Sequence, residues 1–89
     1  MFNNIFQNKK VLVTGNTGFK GSWLTLWLLK LGANIIGISK NIPTNPSLFK
    51  VLKLQKKIDQ HFLDIQEIKK LKKIIFSSQP DFIFHLAAQ

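Results

Sequence analysis

Three glycines set three apart, Gly15, Gly18 and Gly21, stand between two stretches of opposite character and limit what this chain can become. Ahead of them, Lys9-Lys10-Val11-Leu12-Val13-Thr14 is an apolar run, too short for a helix and rich in β-branched residues, which reads as a strand buried on both faces. Behind them, Phe19 to Leu31 holds no proline and a single glycine, and Gly32 follows, which reads as a helix with glycine at the C′ position. A strand that turns through glycines into a helix leaves unpaired backbone N–H groups at the positive helix end. The first glycine permits the sharp turn, the second lets the backbone approach a diphosphate, and the third lets helix and strand pack closely. Three glycines alone also make an ordinary tight turn; the strand before and the helix after favour an anion cradle. A nucleoside-triphosphate loop does not fit. Lys20-Gly21-Ser22 transposes the order of G-x-x-x-x-G-K-[ST], and Lys20 stands where the second glycine belongs.

The rest of the chain alternates in the same way. Asn34 to Ser39 is a second strand, and Asn41 to Ser47, with Pro43 and Pro46, is loop. Ser47 to Leu54 suits a short helix, and Ile58 to Leu63 a third, weaker strand. Asp64-Ile65-Gln66-Glu67 has the spacing of a capping box. Beyond it Ile68, Leu71 and Ile75 repeat at helical spacing, with Lys69, Lys70, Lys72 and Lys73 turned to water. Pro80 ends that helix, and Asp81 to Leu86 is a fourth strand. The order β-α-β-(α)-β-α-β predicts an α/β fold with a parallel sheet and right-handed crossovers. A strand as apolar as Phe82-Ile83-Phe84 belongs inside a covered sheet, so residues 1–89 read as the N-terminal half of a doubly wound domain whose remainder lies elsewhere. The first helix is apolar on several sides, and Trp23 and Trp27, one turn apart, read as packing residues awaiting cover.

Composition removes other function classes. Eighty-nine residues allow one small domain, and the absence of cysteine rules out disulfides and thiolate zinc sites. His61 and His85 fall in different strands without ligand spacing, so no metal is expected. The net charge of +9 is carried entirely by lysine, whereas base reading and bidentate phosphate clamping favour arginine. A basic nucleic-acid binder is therefore the weaker reading. Residues 1–10 have no apolar core of a secretory signal, and Trp23 to Leu31 is too short to span a bilayer, so the expectation is a cytoplasmic protein without a membrane partner.

Longer stretches add a resemblance. Thr14-Gly15-Asn16-Thr17-Gly18-Phe19-Lys20-Gly21-Ser22-Trp23-Leu24, Pro43-Thr44-Asn45-Pro46-Ser47-Leu48-Phe49 and His85-Leu86-Ala87-Ala88-Gln89 resemble the CDP-glucose 4,6-dehydratase family. That family lies within the extended short-chain dehydrogenases/reductases, which act on nucleotide sugars and bind their cofactor in a Rossmann-type domain. The Lys20–Leu24 and Pro43–Phe49 segments discriminate; the glycines and the His-x-Ala-Ala ending are shared with epimerases and with GDP- and dTDP-sugar dehydratases. Asn16 departs from the pattern, since the family commonly shows His there.

The resemblance implies NAD held by Gly15, Gly18 and Gly21, with Thr17, Phe19 and Lys20 adding contacts in the turn. Ser39 and Lys40 match the ribose end of the second strand. No acid stands there to bind a ribose 2′-hydroxyl, and Lys40 suits a 2′-phosphate or simply solvent, so NADP stays open although the resemblance favours NAD. Asp64, with Ile65 beside it, matches the family's adenine-side acid, and it also suits a helix cap. Leu86, Ala87 and Ala88 match a strand end passing the cofactor's centre, and the alanines equally suit tight packing. A CDP-glucose substrate and a homodimer of the complete enzyme are implied in the same way. So is an internal redox reaction, in which hydride leaves sugar C4 for NAD⁺, water is lost across C5–C6, and the hydride returns to C6. Hydride removal in the family needs a Tyr-x-x-x-Lys pair, and this chain has no tyrosine. The 89-residue chain alone is therefore expected to give no turnover. An assay with CDP-glucose and NAD⁺ checks this, and clear formation of a 4-keto product would contradict it.

Overall fold

The computed structural model describes residues 5–40 and 48–86. Four strands, β1 (Lys10–Thr14), β2 (Asn34–Ser39), β3 (Asp59–Phe62) and β4 (Phe82–His85), form one sheet in the order β3-β2-β1-β4. All three pairings are parallel, with Leu12 opposite Ile36 and Ile83, and Ile38 opposite His61. Helices α1 (Phe19–Lys30), α2 (Leu48–Val51) and α3 (Ile68–Ser78) lie in the crossovers, and a short 3-10 turn spans Leu54–Lys56. The doubly wound α/β expectation holds: successive strands step one way from β1 to β3, then return across β1 to β4.

The apolar alternation of β1 distributes its side chains to two cores, as a sheet covered on both faces requires. Val11 and Val13 join Leu28, Ala33 and Ile35 beneath α1, while Leu12 joins Ile36 and Ile38 beneath α3. Both central strands are buried except at their first residue. α1 ends as its sequence foretells: Leu31 closes it, and Gly32 adopts φ +86°, the left-handed conformation glycine takes without a Cβ penalty. The outer side of α1 stays exposed, with Trp27 61% accessible and Phe19 stacked edge-on against Trp23 at 6.4 Å.

β4 is an edge strand. Phe82 and Phe84 pack toward the α1 side against Phe6, whose ring meets Phe82 edge-on at 5.0 Å, while Ile83 on the opposite face is 55% exposed. Lys10 N donates to Asp81 Oδ2 at 2.9 Å and Asp81 N donates to Lys10 O at 2.7 Å, fastening the start of β4 to β1.

Three local expectations need correction. The second helix covers only Leu48–Val51, because Lys53 takes a left-handed φ of +54° and restarts the chain as the 3-10 turn. Ile68 is 53% exposed; Leu71, Ile74 and Ile75 make the inner stripe of α3 instead. Asp64 does not cap α3. The N-cap is Glu67, without a side-chain hydrogen bond, and Asp64 Oδ1 instead accepts from Gln66 N at 2.9 Å, closing a turn one step earlier. The loop expected over residues 41–47 and the strand-end residues Ala87 and Ala88 lie outside the described residues. Among the described residues no helix is long and apolar enough to cross a membrane.

Leu12 is enclosed at the centre of the α3-side core, so Leu12→Ala should cost about 3 kcal/mol of unfolding free energy, whereas the near-isosteric Leu12→Met should cost below about 1.5 kcal/mol. Urea unfolding of the two variants checks the contrast.

Candidate cofactor-binding site

The carboxyl ends of the strands converge on one edge of the sheet: Thr14 of β1, Ser39 of β2, Phe62 of β3 and His85 of β4. Between β1 and β4 the chain's direction of winding reverses, and open α/β sheets bind ligands in the crevice at such a switch point. The glycine turn occupies that place.

Gly15 has φ +74°, so the chain leaves the strand in a conformation that strains any residue with a Cβ. Its N–H still donates to Ile38 O at 2.8 Å, keeping the turn's first residue on the β1–β2 ladder. Gly21 answers a steric demand. A Cβ there would lie 2.7 Å from Asn16 Cα and closer still to Gly15 O, so the first turn of α1 rests directly on the backbone of the turn. Thr25 Oγ1, buried beside it, donates to Gly21 O at 2.7 Å.

Gly18 differs from both. As N-cap of α1 it has φ −72° and ψ 175°, an extended conformation open to any residue, and a Cβ would meet only Gly15 O at an ordinary 3.7 Å. Nothing within the described chain requires glycine at 18. Glycine there leaves the backbone at the helix N-terminus without a side chain beside it. Ser22 N donates to Gly18 O at 2.8 Å as the first helical bond. The N–H groups of the first turn precede that ladder, and Gly18 offers no side chain to cap them. The first turn has no acidic residue, and Lys20 stands exposed in it, a cation at the positive helix end that a bound anion would offset.

The other candidate positions line the same edge. Ser39 ends β2 and is buried, and exposed Lys40 follows it. Asp64, just past β3, faces Lys40 across the strand ends, with Asp64 Oδ2 3.8 Å from Lys40 Nζ, an exposed pair of small energetic weight. Ile65 packs into the α3-side core. Leu86 follows β4, and its N–H donates to Thr14 O at 3.0 Å and to Thr14 Oγ1 at 3.1 Å, closing β4 onto β1 beside the turn. Thr14 Oγ1 also lies 2.7 Å from His85 Nδ1, and His61 Nε2 lies 3.2 Å from Asp59 Oδ2. Both histidines thus have strand-end polar partners. Among the described residues no group of three or more His, Asp or Glu side chains could hold a metal ion.

Sequence reasoning singled out the turn glycines with Lys20, Ser39, Lys40, Asp64, Ile65 and Leu86 but passed over Gly37 and Gln60. Gly37 lies inside β2 because a Cβ would meet Gln60 Oε1 at 2.5 Å and the Asn16 amide. A glycine within an otherwise β-branched strand is a legible sign of close approach.

A sequence model of the GDP-mannose 4,6 dehydratase family matches residues 12–89. The chain is 46% identical over 86 residues to the CDP-glucose 4,6-dehydratase of Salmonella typhimurium, covering 97% of this chain and 24% of that protein. It therefore spans about a quarter of that relative's length. Its fold matches an epimerase of Methanothermobacter thermautotrophicus (TM-score 0.74, 34% identity, 98% of this chain and 25% of that one). It also matches the enzyme WbmH of Bordetella bronchiseptica, whose crystal structure holds NAD⁺ (TM-score 0.76, 28% identity, 93% of this chain and 27% of that one).

The two inner glycines should separate in a stability measurement. Gly21→Ala must force α1 off the turn and should cost about 1–3 kcal/mol, while Gly18→Ala should cost under about 1 kcal/mol, the loss of a glycine N-cap. Thermal unfolding of both variants checks this.

Proposed function

Since this chain belongs to the GDP-mannose 4,6 dehydratase family of extended short-chain dehydrogenases/reductases, we propose that it is the NAD-binding portion of a CDP-glucose 4,6-dehydratase. The observation that carries the reading is Gly18, a glycine that the chain's own packing does not need, at a helix N-terminus without a side-chain cap. A dinucleotide's diphosphate fits that cradle. Gly15, Thr17, Gly18, Phe19, Lys20 and Gly21 would hold it, Ser39 and Lys40 the adenosine ribose, Asp64 and Ile65 the adenine side, and Leu86, Ala87 and Ala88 the passage toward the nicotinamide. NAD, when bound, supplies reversible hydride transfer.

This chain's residues bind and orient. The turn's backbone amides would hold the diphosphate, and Lys20 would add a positive charge beside it. The absence of an acid after β2 leaves room for NADP as well as NAD. Binding and orientation contribute to the rate by holding the reacting carbon near the cofactor. Proton chemistry on the sugar is assigned to a Tyr-x-x-x-Lys pair in the complete enzyme, working on CDP-glucose in a cytoplasmic homodimer. The choice of CDP-glucose over other nucleotide sugars is supported by the 46% identity to the Salmonella enzyme.

Calorimetric titration of the complete protein with NAD tests the cradle. Gly18→Val should lower affinity about 100-fold or more, because a branched side chain at the anion seat displaces the diphosphate from its amides. Undiminished affinity in a folded variant would defeat the reading.

A further inference from the structure

One side chain ties the phosphate turn to the neighbouring strand ends. Gln60 of β3 donates through Nε2 to His61 O at 3.1 Å and to Ser39 Oγ at 3.1 Å. A backbone carbonyl only accepts, so the amide cannot be turned about: its nitrogen faces the end of β2 and its oxygen faces Asn16. Asn16 Nδ2 donates to that oxygen at 2.6 Å. On the far side, Ser22 Oγ in the first turn of α1 donates to Asn16 O at 3.2 Å. Asn16 is fully buried, and its Oδ1 has no partner among the described residues. Gly37 leaves the space in which the two amides meet. A continuous polar chain, Ser22–Asn16–Gln60–Ser39, thus runs from the seat of the diphosphate to the strand end where the ribose would lie.

The direction of the donors along this chain has a consequence at Ser39. Its oxygen accepts from Gln60, so its single hydroxyl proton is not spent on that partner and can be given to another acceptor. Ser39 is only 5% exposed, so protein partners rather than solvent set the direction of its hydroxyl. Lys40, the next residue, is also a donor, and no acid ends β2. The strand end therefore offers donors to an oxygen on the ligand.

We propose that Gln60 is a positioning residue for the cofactor. By donating to Ser39 it turns the Ser39 hydroxyl proton outward, onto the 2′ oxygen of the adenosine ribose. By accepting from Asn16 it couples that hydroxyl to the phosphate turn. The proposal rests on the dinucleotide reading above.

Gln60→Glu separates the two roles, because a carboxylate still accepts from Asn16 but draws the Ser39 proton inward. NAD and 2′-deoxy-NAD are titrated calorimetrically into the complete protein, with the melting temperature reporting folding. The unsubstituted protein should bind NAD about 10-fold more tightly than 2′-deoxy-NAD, the scale of one hydrogen bond. Gln60→Glu and Ser39→Ala should each bring that ratio to about 1, which loss of packing alone, acting on both dinucleotides alike, would not do. A ratio near 1 in the unsubstituted protein overturns the proposal, as does a ratio retained in folded Gln60→Glu. Should Gln60→Glu fail to fold, Ser39→Ala decides: loss of the ratio supports the proposal, and an unchanged ratio overturns it. An unsubstituted, folded protein that binds neither dinucleotide removes the cofactor reading itself, and this proposal with it.

Discussion

The approach of α1 to the backbone of the preceding turn is the contact on which the rest of the structure depends. Gly21 lies so close to Gly15 O that no side chain fits between them, and this fixes where the helix begins and which way its N-terminus points. Gly15 makes the approach possible from the other side, leaving β1 at positive φ while its N–H stays bonded to Ile38 O. The helix is thereby aimed across the carboxyl end of the central strand. An anion-binding helix end is useful only if it is held there, and backbone contact holds it more rigidly than packed side chains would.

Around that contact the sheet is built with unequal cover. The central strands β1 and β2 are buried on both faces, but the outer strands are half-buried and the lysines gather on the exposed sides of α3 and the α2 region. Large apolar side chains remain accessible on α1, on α3 and on the outer face of β4. The family relationship gives this pattern a setting, since the chain corresponds to about a quarter of the Salmonella dehydratase.

Beneath the turn, the polar chain from Ser22 to Ser39 replaces apolar packing with directed donors and acceptors. Such a network stabilises little in net terms but specifies geometry, because each amide has one orientation that satisfies its partners. Asn16 Oδ1 has no hydrogen-bond partner among the described residues.

Much of this protein was legible from short-range patterns. The apolar run before Gly15, the uninterrupted stretch ending at Gly32 and the β-branched run of β2 each contain their own start and stop, and those elements lie within one residue of their expected bounds. The parallel alternation followed from their order, and the expectation of an anion cradle from glycines placed between strand and helix. Other features depended on distant partners. Asp64 and Glu67 have capping-box spacing, but the chain closes a separate turn at Asp64 before α3 begins, and local spacing cannot report that. Nothing in the short-range pattern of residues 1–10 marks Phe6 as a core residue, since its partners are the distant rings of Phe82 and Phe84. Asn16 and Gln60 are 44 residues apart, and only the parallel stacking of β1, β2 and β3 brings their amides together over Gly37. The sequence by itself therefore determined the strand–turn–helix unit, because its bounds and its glycine turn are properties of neighbouring residues. Tertiary structure decided which polar groups orient that unit, because a hydrogen bond between strands exists only once the strands have been placed.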